Sequence, residues 1–184
     1  MAILYDYFTS NQLIRLEDNS NLTIEQIASI WNSNSEILCK SFDPISKQFN
    51  SSKIVKLLKV QKNILNQQFE IGINAFNLLN KINVSANAQI LTQNLVNIQI
   101  SDLNNSHQIF SLYKVLKYAL NLNSEYKENF IFKPLEIKTI IENNTNNYYY
   151  IELENKGNLL INNCCYIKLS YKVINEPAPI LQQS

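Results

Sequence analysis

The residues from Ser51 to Ile82 carry the strongest periodic pattern in the chain, and this pattern constrains the fold more than any other feature. At about 100° per residue their polar side chains fall on one narrow stripe, which includes Lys56, Asn63 and Glu70. Apolar side chains occupy more than half of the circumference, whereas a surface helix needs only about 100° of apolar face. We therefore predict one long central helix that other elements cover on at least two sides.

Shorter helices are predicted on both sides of this segment. Thr23 and Gln26 have the spacing of a capping box, in which a threonine and a glutamine satisfy backbone N–H groups at a helix start. Apolar residues at alternating three and four spacing predict a second helix over residues 85–98, and Ser101-Asp102 begins a third that runs to about residue 122. Short linkers favour antiparallel packing, so residues 1–125 are predicted to form a helical bundle.

The hydrophobic period changes from 3.6 to 2 near residue 130. Alternating residues predict strands over 135–141 and 148–154, with Pro134 at a strand start or a sheet edge. Residues 155–158 predict a hairpin turn in which Gly157 supplies a positive φ, and a long strand then runs to Val173. Residues 126–176 are therefore expected to form a small antiparallel sheet, and residues 177–184 a flexible tail.

Together these segments predict an α+β chain: an N-terminal helical bundle with one long central helix, followed by a small C-terminal antiparallel β-sheet. The turn at residues 155–158 and the alternating apolar residues after it resemble Ig-like β-sandwich modules over the C-terminal strands only. That resemblance implies an Ig-like sandwich as one form that the sheet could take.

The composition excludes several function classes. A net charge of +1 is not that of an electrostatic nucleic-acid binder, and two glycines leave little room for Gly-rich phosphate loops. The chain shows neither a signal peptide nor an apolar run long enough to span a membrane. Three cysteines without framework or zinc spacing predict buried free thiols in a cytoplasmic or other reducing compartment.

Few residues suggest catalysis. A dyad of His107 with Cys39, Cys164 or Cys165 depends on a fold proximity that the sequence does not give. Glu152 and Glu154 share a strand face at about 7 Å, but solvated strand carboxylates are far commoner than catalytic pairs. We predict no catalytic, cofactor-binding or metal-binding residues and no cofactor.

The tyrosines give the only predicted binding surface. Tyr148, Tyr150 and Tyr166 fall on the same side of neighbouring predicted strands and predict an outward aromatic interface. Cross-strand pairing within a two-sided sheet is the alternative. The predicted partner is another copy of the chain or another protein; a membrane is an open but disfavoured partner, and nucleic acid is excluded.

The function predicted from these features is that of a non-enzymatic structural or interaction component that assembles into an oligomer or larger complex. A phage particle, a secretion apparatus or a virulence-associated assembly would suit the codon usage that the asparagine-rich composition implies. Two alternatives stay open: a membrane-active or hydrophobic-surface-binding helical protein, and a small Cys/His-dependent enzyme.

Overall fold

The computed structural model describes residues 2–75, 78–104, 106–116, 124–131, 134–140 and 147–175, and these residues are mostly β-strand. The first elements in chain order are β1 (Ala2–Tyr5), β2 (Phe8–Thr9), β3 (Leu13–Arg15), β4 (Asn21–Thr23), helix α1 (Ile24–Ile30), β5 (Leu38–Asp43), β6 (Gln48–Val60), β7 (Gln68–Ala75) and β8 (Leu78–Ser85). The remaining elements are β9 (Gln89–Leu91), β10 (Asn97–Gln99), a 3₁₀ turn (Ile100–Asp102), β11 (Ile109–Leu116), β12 (Ser124–Ile131), β13 (Pro134–Ile140), β14 (Tyr148–Leu153), β15 (Asn158–Ile161), β16 (Cys165–Lys168) and β17 (Tyr171–Ile174).

The strands form one large curled antiparallel sheet and one separate ribbon. The main strand order is β10-β9-β16-β15-β5-β6-β14-β2-β8-β7-β13, with β11 joined at β16 and β3 at β15. The long strand β6 links two parts of the sheet, because its first half pairs with β5 and its second half with β14. The separate ribbon consists of β1 and β17, so it pairs the start of the described chain with its end.

The predicted long central helix is wrong, because most of the described residues between 51 and 82 lie in the strands β6, β7 and β8. Along β6 the register against β14 shifts between Ile54 and Lys56, which leaves Val55 as an extra, exposed residue. The buried apolar residues of this strand are therefore Ile54 and Leu57, at a spacing of three that imitates one helical turn. In β7 and β8, Ile71, Ile73, Ile82 and Val84 alternate as strands require.

The predicted helical bundle over residues 1–125 is also wrong. The helices expected over 85–98 and from residue 101 are replaced by β9, β10, the 3₁₀ turn and β11. Helix α1 is confirmed with its capping box: Gln26 N–H donates to Thr23 Oγ1 at 3.1 Å, and Thr23 N–H to Gln26 Oε1 at 2.8 Å. A local signal of this kind survives because both partners lie within one turn.

The C-terminal strands exist, but they do not form a small sheet of their own. Strand β13 begins at Pro134 and lies at the end of the main strand path, as the proline predicts. Strand β14, however, pairs with β6 and β2, and β15 pairs with β16, β5 and β3. The separate sheet and the Ig-like sandwich are therefore wrong. Residues 177–184, predicted as a flexible tail, lie outside the described residues.

The turn before β15 needs its glycine for a reason other than the one predicted. The positive φ of 57° belongs to Lys156, and Gly157 has a negative φ. A Cβ on Gly157 would instead lie well inside van der Waals contact of the backbone carbonyl oxygen of Phe42 in β5. The absence of a side chain thus permits the close approach by which β15 pairs with β5.

Gly157→Ala is expected to lower the free energy of unfolding by about 1–3 kcal/mol, because backbone must shift to admit the methyl group. Chemical denaturation checks this value. Lys156→Gly is the matched control: its left-handed backbone suits glycine, so its change should stay within about 0.5 kcal/mol. Equal stability of Gly157→Ala and the unsubstituted protein would contradict the close approach.

Most buried apolar side chains of the described residues belong to one cluster, to which both α1 and the sheet contribute. It includes Phe8, Ile24, Ile27, Ile71 and Ile82, each with no accessible surface. Among the described residues, no helix is long and apolar enough to cross a membrane.

Candidate active site

The pairing of β1 with β17 continues for one more residue on each strand, where Asp6 binds Ser170. In the ribbon, Ala2 pairs with Ile174 and Tyr5 with Tyr171. One residue further in, Asp6 N–H donates to the carbonyl oxygen of Ser170 at 2.9 Å. Ser170 N–H donates back to Asp6 Oδ2 at 2.7 Å. This reciprocal pair joins residues that are 164 positions apart in sequence.

The Asp6 carboxyl is buried, with only 4% of the residue's surface exposed. Its second oxygen, Oδ1, accepts a hydrogen bond from Asn66 Nδ2 at 3.0 Å. Burial raises the pKa of Asp6 to about 6, although the hydrogen bonds from Ser170 and Asn66 act in the opposite direction. A carboxyl that keeps its proton up to about pH 6 can act as an acid under mild conditions.

Ser85, the last residue of β8, binds both backbone polar groups of Tyr7, including the N–H of the peptide bond between Asp6 and Tyr7. Tyr7 N–H donates to Ser85 Oγ at 2.9 Å, and Ser85 N–H donates to the carbonyl oxygen of Tyr7 at 3.0 Å. Both residues are fully buried. The amide nitrogen that joins Tyr7 to Asp6 therefore has one fixed hydroxyl partner in a site without surface exposure.

Asn66 connects the parts of this site. Its Nδ2 donates to the carbonyl oxygen of Tyr5 at 3.0 Å as well as to Asp6, and its Oδ1 accepts from Asn87 N–H at 3.1 Å. Its carbonyl oxygen accepts from the Tyr7 hydroxyl at 2.7 Å. A fully buried amide with this many partners fixes the position of the segment around Asp6.

An open cavity of about 520 Å³ lies beside the junction and is lined by Asp6, Asn87, Gln99, Ser170 and Lys172, among others. Ser170 and Tyr171 also line a second cavity of about 310 Å³ on the side of Tyr150 and Glu152. Ser170 is solvent-exposed, whereas Asp6 is buried. Water therefore reaches the junction from the Ser170 side.

The site joins a carboxyl and a hydroxyl to a peptide bond with a fixed leaving nitrogen. This set can support nucleophilic attack on the Asp6 carbonyl carbon followed by departure of the Tyr7 amine. Among the described residues, no group of three or more histidine, cysteine, aspartate or glutamate side chains could hold a metal ion.

The thiols and the imidazole lie elsewhere. Cys39 is buried in β5 beside the carbonyl oxygen of Ser52, and burial raises its thiol pKa to about 12. Cys164 contacts Ser111, and Cys165 is buried in β16. His107 Nδ1 accepts from Asn104 N–H at 3.0 Å. In the described part of the chain, the contacts of these groups bring no thiol to the imidazole.

The tyrosines predicted as an interface are buried. Tyr148, Tyr150 and Tyr166 expose 3%, 2% and 3% of their surface, because both faces of these strands are covered. Tyr150 packs on Tyr5 with ring centroids 4.9 Å apart, and Tyr148 lies edge-on to Tyr7 at 5.1 Å. The predicted outward orientation of these tyrosines is therefore wrong. An interface role and a protein partner stay predictions.

The two strand glutamates do not act as a pair. Glu152 Oε2 accepts from the Tyr150 hydroxyl at 2.9 Å, and its other oxygen binds Lys156. Glu154 is exposed in the turn that follows β14. The free thiols predicted from the sequence are present: Cys39, Cys164 and Cys165 are buried and form no disulfide.

None of the residues at the junction is predicted from the sequence. Asp6 carried one usable signal, since it is a carboxylate inside the apolar run from Ile3 to Phe8. A charge in such a run has to be paired or neutralised once the strand is buried. Ser85, Asn66 and Ser170 are common polar residues, and only the strand pairing brings them to Asp6.

Comparison with known proteins gives a similarity of fold. No protein-family model and no curated protein matches the chain. Among solved structures, an intein from a hyperthermophile is 10% identical with a TM-score of 0.62, covering 89% of this chain and 99% of that one. The DnaB intein from Synechocystis is 12% identical with a TM-score of 0.59, covering 89% and 98%. The DnaX mini intein from Spirulina platensis is 17% identical with a TM-score of 0.55, covering 87% and 98%.

These structures overturn the predicted function. The prediction of a non-enzymatic structural component in a phage particle, a secretion apparatus or a virulence-associated assembly depends on a rigid helical body. The described residues are instead mostly β-strand, with one α-helix of seven residues. The membrane-active alternative needed the predicted long central helix. The solved structures named above are inteins, which are self-splicing domains, and not assembly proteins. Over most of its length, this chain therefore has a fold similar to that of inteins.

Proposed function

We propose that this chain is a self-processing domain that breaks the peptide bond joining Asp6 to Tyr7 within its own backbone. The proposal is carried by the reciprocal hydrogen bonding of Asp6 and Ser170, which lies at the inner end of the paired strands β1 and β17. Residues before Tyr7 and residues after Leu169 thus meet at one point.

The similarity to inteins supports this proposal. A domain that splices itself out of a longer chain has to hold its two flanking segments together while bonds are exchanged. The ribbon of β1 and β17 does this in the present chain, with Ala2 opposite Ile174 and Leu4 opposite Lys172. Pairing in register converts an encounter between distant segments into an intramolecular one.

Ser85 supplies the stabilisation that the departing nitrogen needs. In the intact chain Tyr7 N–H is a neutral donor to Ser85 Oγ. Before the bond to Asp6 breaks, that nitrogen gains a proton in the tetrahedral intermediate and is a charged donor, whose hydrogen bond to the same oxygen is roughly twice as strong. It then leaves as a neutral amine. An interaction that strengthens as the bond breaks lowers the barrier to cleavage.

A precursor with one reporter domain before residue 1 and another after residue 184 tests the proposal. We expect intact mass measurement to show a fragment that begins at Tyr7 and accumulates with time. Ser85→Ala should slow its formation about 100-fold, because the leaving nitrogen loses its partner. The exposed Ser33 offers a matched control, and Ser33→Ala should leave the rate unchanged.

Two results speak against the proposal. A folded wild-type precursor that keeps its full mass from pH 5 to pH 8 would exclude self-processing under these conditions. An unchanged rate in folded Ser85→Ala would remove the role assigned to Ser85 while leaving the cleavage itself in place.

A further inference from the structure

We infer that Asp6 supplies its own nucleophile: its side-chain carboxyl attacks its main-chain carbonyl carbon and expels the Tyr7 amine as a five-membered cyclic anhydride forms. This inference rests on the proposed function, since it names the attacking group for the same bond. The segment that ends at Asp6 is then released by hydrolysis, and this reaction requires neither a thiol nor an imidazole.

The geometry restricts the Asp6 carboxyl to the neighbourhood of its own peptide bond. Its two oxygens are held by Ser170 N–H at 2.7 Å and by Asn66 Nδ2 at 3.0 Å, so the side chain does not rotate freely. An intramolecular attack that closes a favourable ring has an effective concentration of roughly 10⁵–10⁸ M when reactants are oriented. The Ser170 hydroxyl, on an exposed residue beside an open cavity, has no comparable restriction.

The bonds and protons of the reaction balance without a further reactant except water. A carboxyl oxygen of Asp6 forms a bond to its main-chain carbonyl carbon, and the bond from that carbon to Tyr7 nitrogen breaks. The proton of the carboxyl passes to the departing nitrogen, which remains near Ser85 Oγ. Water then opens the anhydride, so the released segment ends at Asp6 with two carboxyl groups, and no atom is oxidised or reduced.

The protonation of Asp6 predicts the pH dependence of this step. The titratable groups that face the carboxyl are Tyr7, Tyr150 and, across the cavity, Lys172. Burial raises the pKa of both tyrosines, so they stay neutral near pH 6. Because the reacting form is the protonated carboxyl with a pKa of about 6, the rate should be constant below pH 6 and fall about tenfold per pH unit above it.

Trapping with hydroxylamine distinguishes this mechanism from other ways to cleave the bond. The two-reporter precursor is incubated at pH 5.5 with hydroxylamine, and the released N-terminal segment is analysed by fragmentation mass spectrometry. An anhydride opens at either carbonyl, so hydroxamate is expected on the β-carboxyl of Asp6 as well as on its α-carboxyl. An ester at Ser170, or direct attack on the peptide bond, gives the α-hydroxamate only.

Four variants complete the test. Asp6→Ala should abolish release, and Asp6→Glu should slow it, since the carboxyl remains but the ring grows by one atom. Ser33→Ala is the matched control, because Ser33 is exposed and its change should leave the rate unchanged. Ser170→Ala removes the competing hydroxyl but keeps the backbone N–H that holds Asp6, so the β-hydroxamate should still form. The wild-type trapping result does not depend on how well these variants fold.

The outcomes separate the inference from the proposed function. β-Hydroxamate that persists in Ser170→Ala supports attack by Asp6. Cleavage between Asp6 and Tyr7 with α-hydroxamate alone, or cleavage that persists in Asp6→Ala, overturns the inference and leaves self-processing intact. A precursor that remains whole under all of these conditions overturns both.

Discussion

Asn66→Ala is expected to lower the free energy of unfolding by about 3–5 kcal/mol, because the change leaves one buried and two part-buried polar groups without their partner. These groups are the carbonyl oxygen of Tyr5, Asp6 Oδ1 and the N–H of Asn87. Asn66 has no accessible surface of its own, and the Asp6 carboxyl that it binds is buried as well. Urea denaturation followed by circular dichroism measures the effect.

Asn34→Ala provides the matched control for this change. Asn34 is exposed, and its removal should alter the free energy of unfolding by no more than about 0.5 kcal/mol. Where Asn66→Ala still folds, it should also slow release of the segment before Tyr7, since Asp6 loses one of its two anchors. A loss below 1 kcal/mol in Asn66→Ala would contradict the organising role given to this amide.

Asp6 should make the protein less stable as pH rises from about 4 to about 6. Its pKa is about 6 in the folded chain, against an ordinary value of 3.8, so the folded state binds more protons than the unfolded state in this window. Stability from this group is therefore complete below pH 4 and lost as pH passes 6. The shift corresponds to about 3 kcal/mol.

The difference between the wild-type protein and Asp6→Asn isolates this contribution. Asp18 and Asp43 accept hydrogen bonds that lower their pKa. Their contribution to the free energy of unfolding is therefore lost as pH falls, which is opposite to that of Asp6. The wild-type protein and Asp6→Asn both contain Asp18 and Asp43, so the effects of these two residues cancel. The difference in free energy of unfolding between the two proteins should change by about 3 kcal/mol between pH 4 and pH 7. A difference that is independent of pH would show that Asp6 titrates normally and is not buried as described.

The parts of this fold that were predictable from sequence are those whose cause is local. The capping box of Thr23 and Gln26 is satisfied within one helical turn, and Pro134 begins an edge strand because it lacks a backbone donor. The long central helix was wrong because the extra residue Val55 turns strand alternation into a spacing of three. The alternation of Ile71 with Ile73, in β-branched residues that favour strands, was the signal against it.

The candidate site was beyond sequence reasoning for a different reason. Asp6 and Ser170 touch only because β1 pairs with β17, and Asn66 reaches them from a third part of the chain. No spacing rule connects residues so far apart. A buried carboxylate could be suspected from the apolar run around Asp6, but its partners and its peptide bond were not readable.

The intact mass of the purified two-reporter precursor, followed over days at pH 5.5, tests self-processing at the junction most directly. We predict that the full mass declines while two masses appear, one ending at Asp6 and one beginning at Tyr7. A single undiminished mass from a folded precursor would contradict self-processing at this junction.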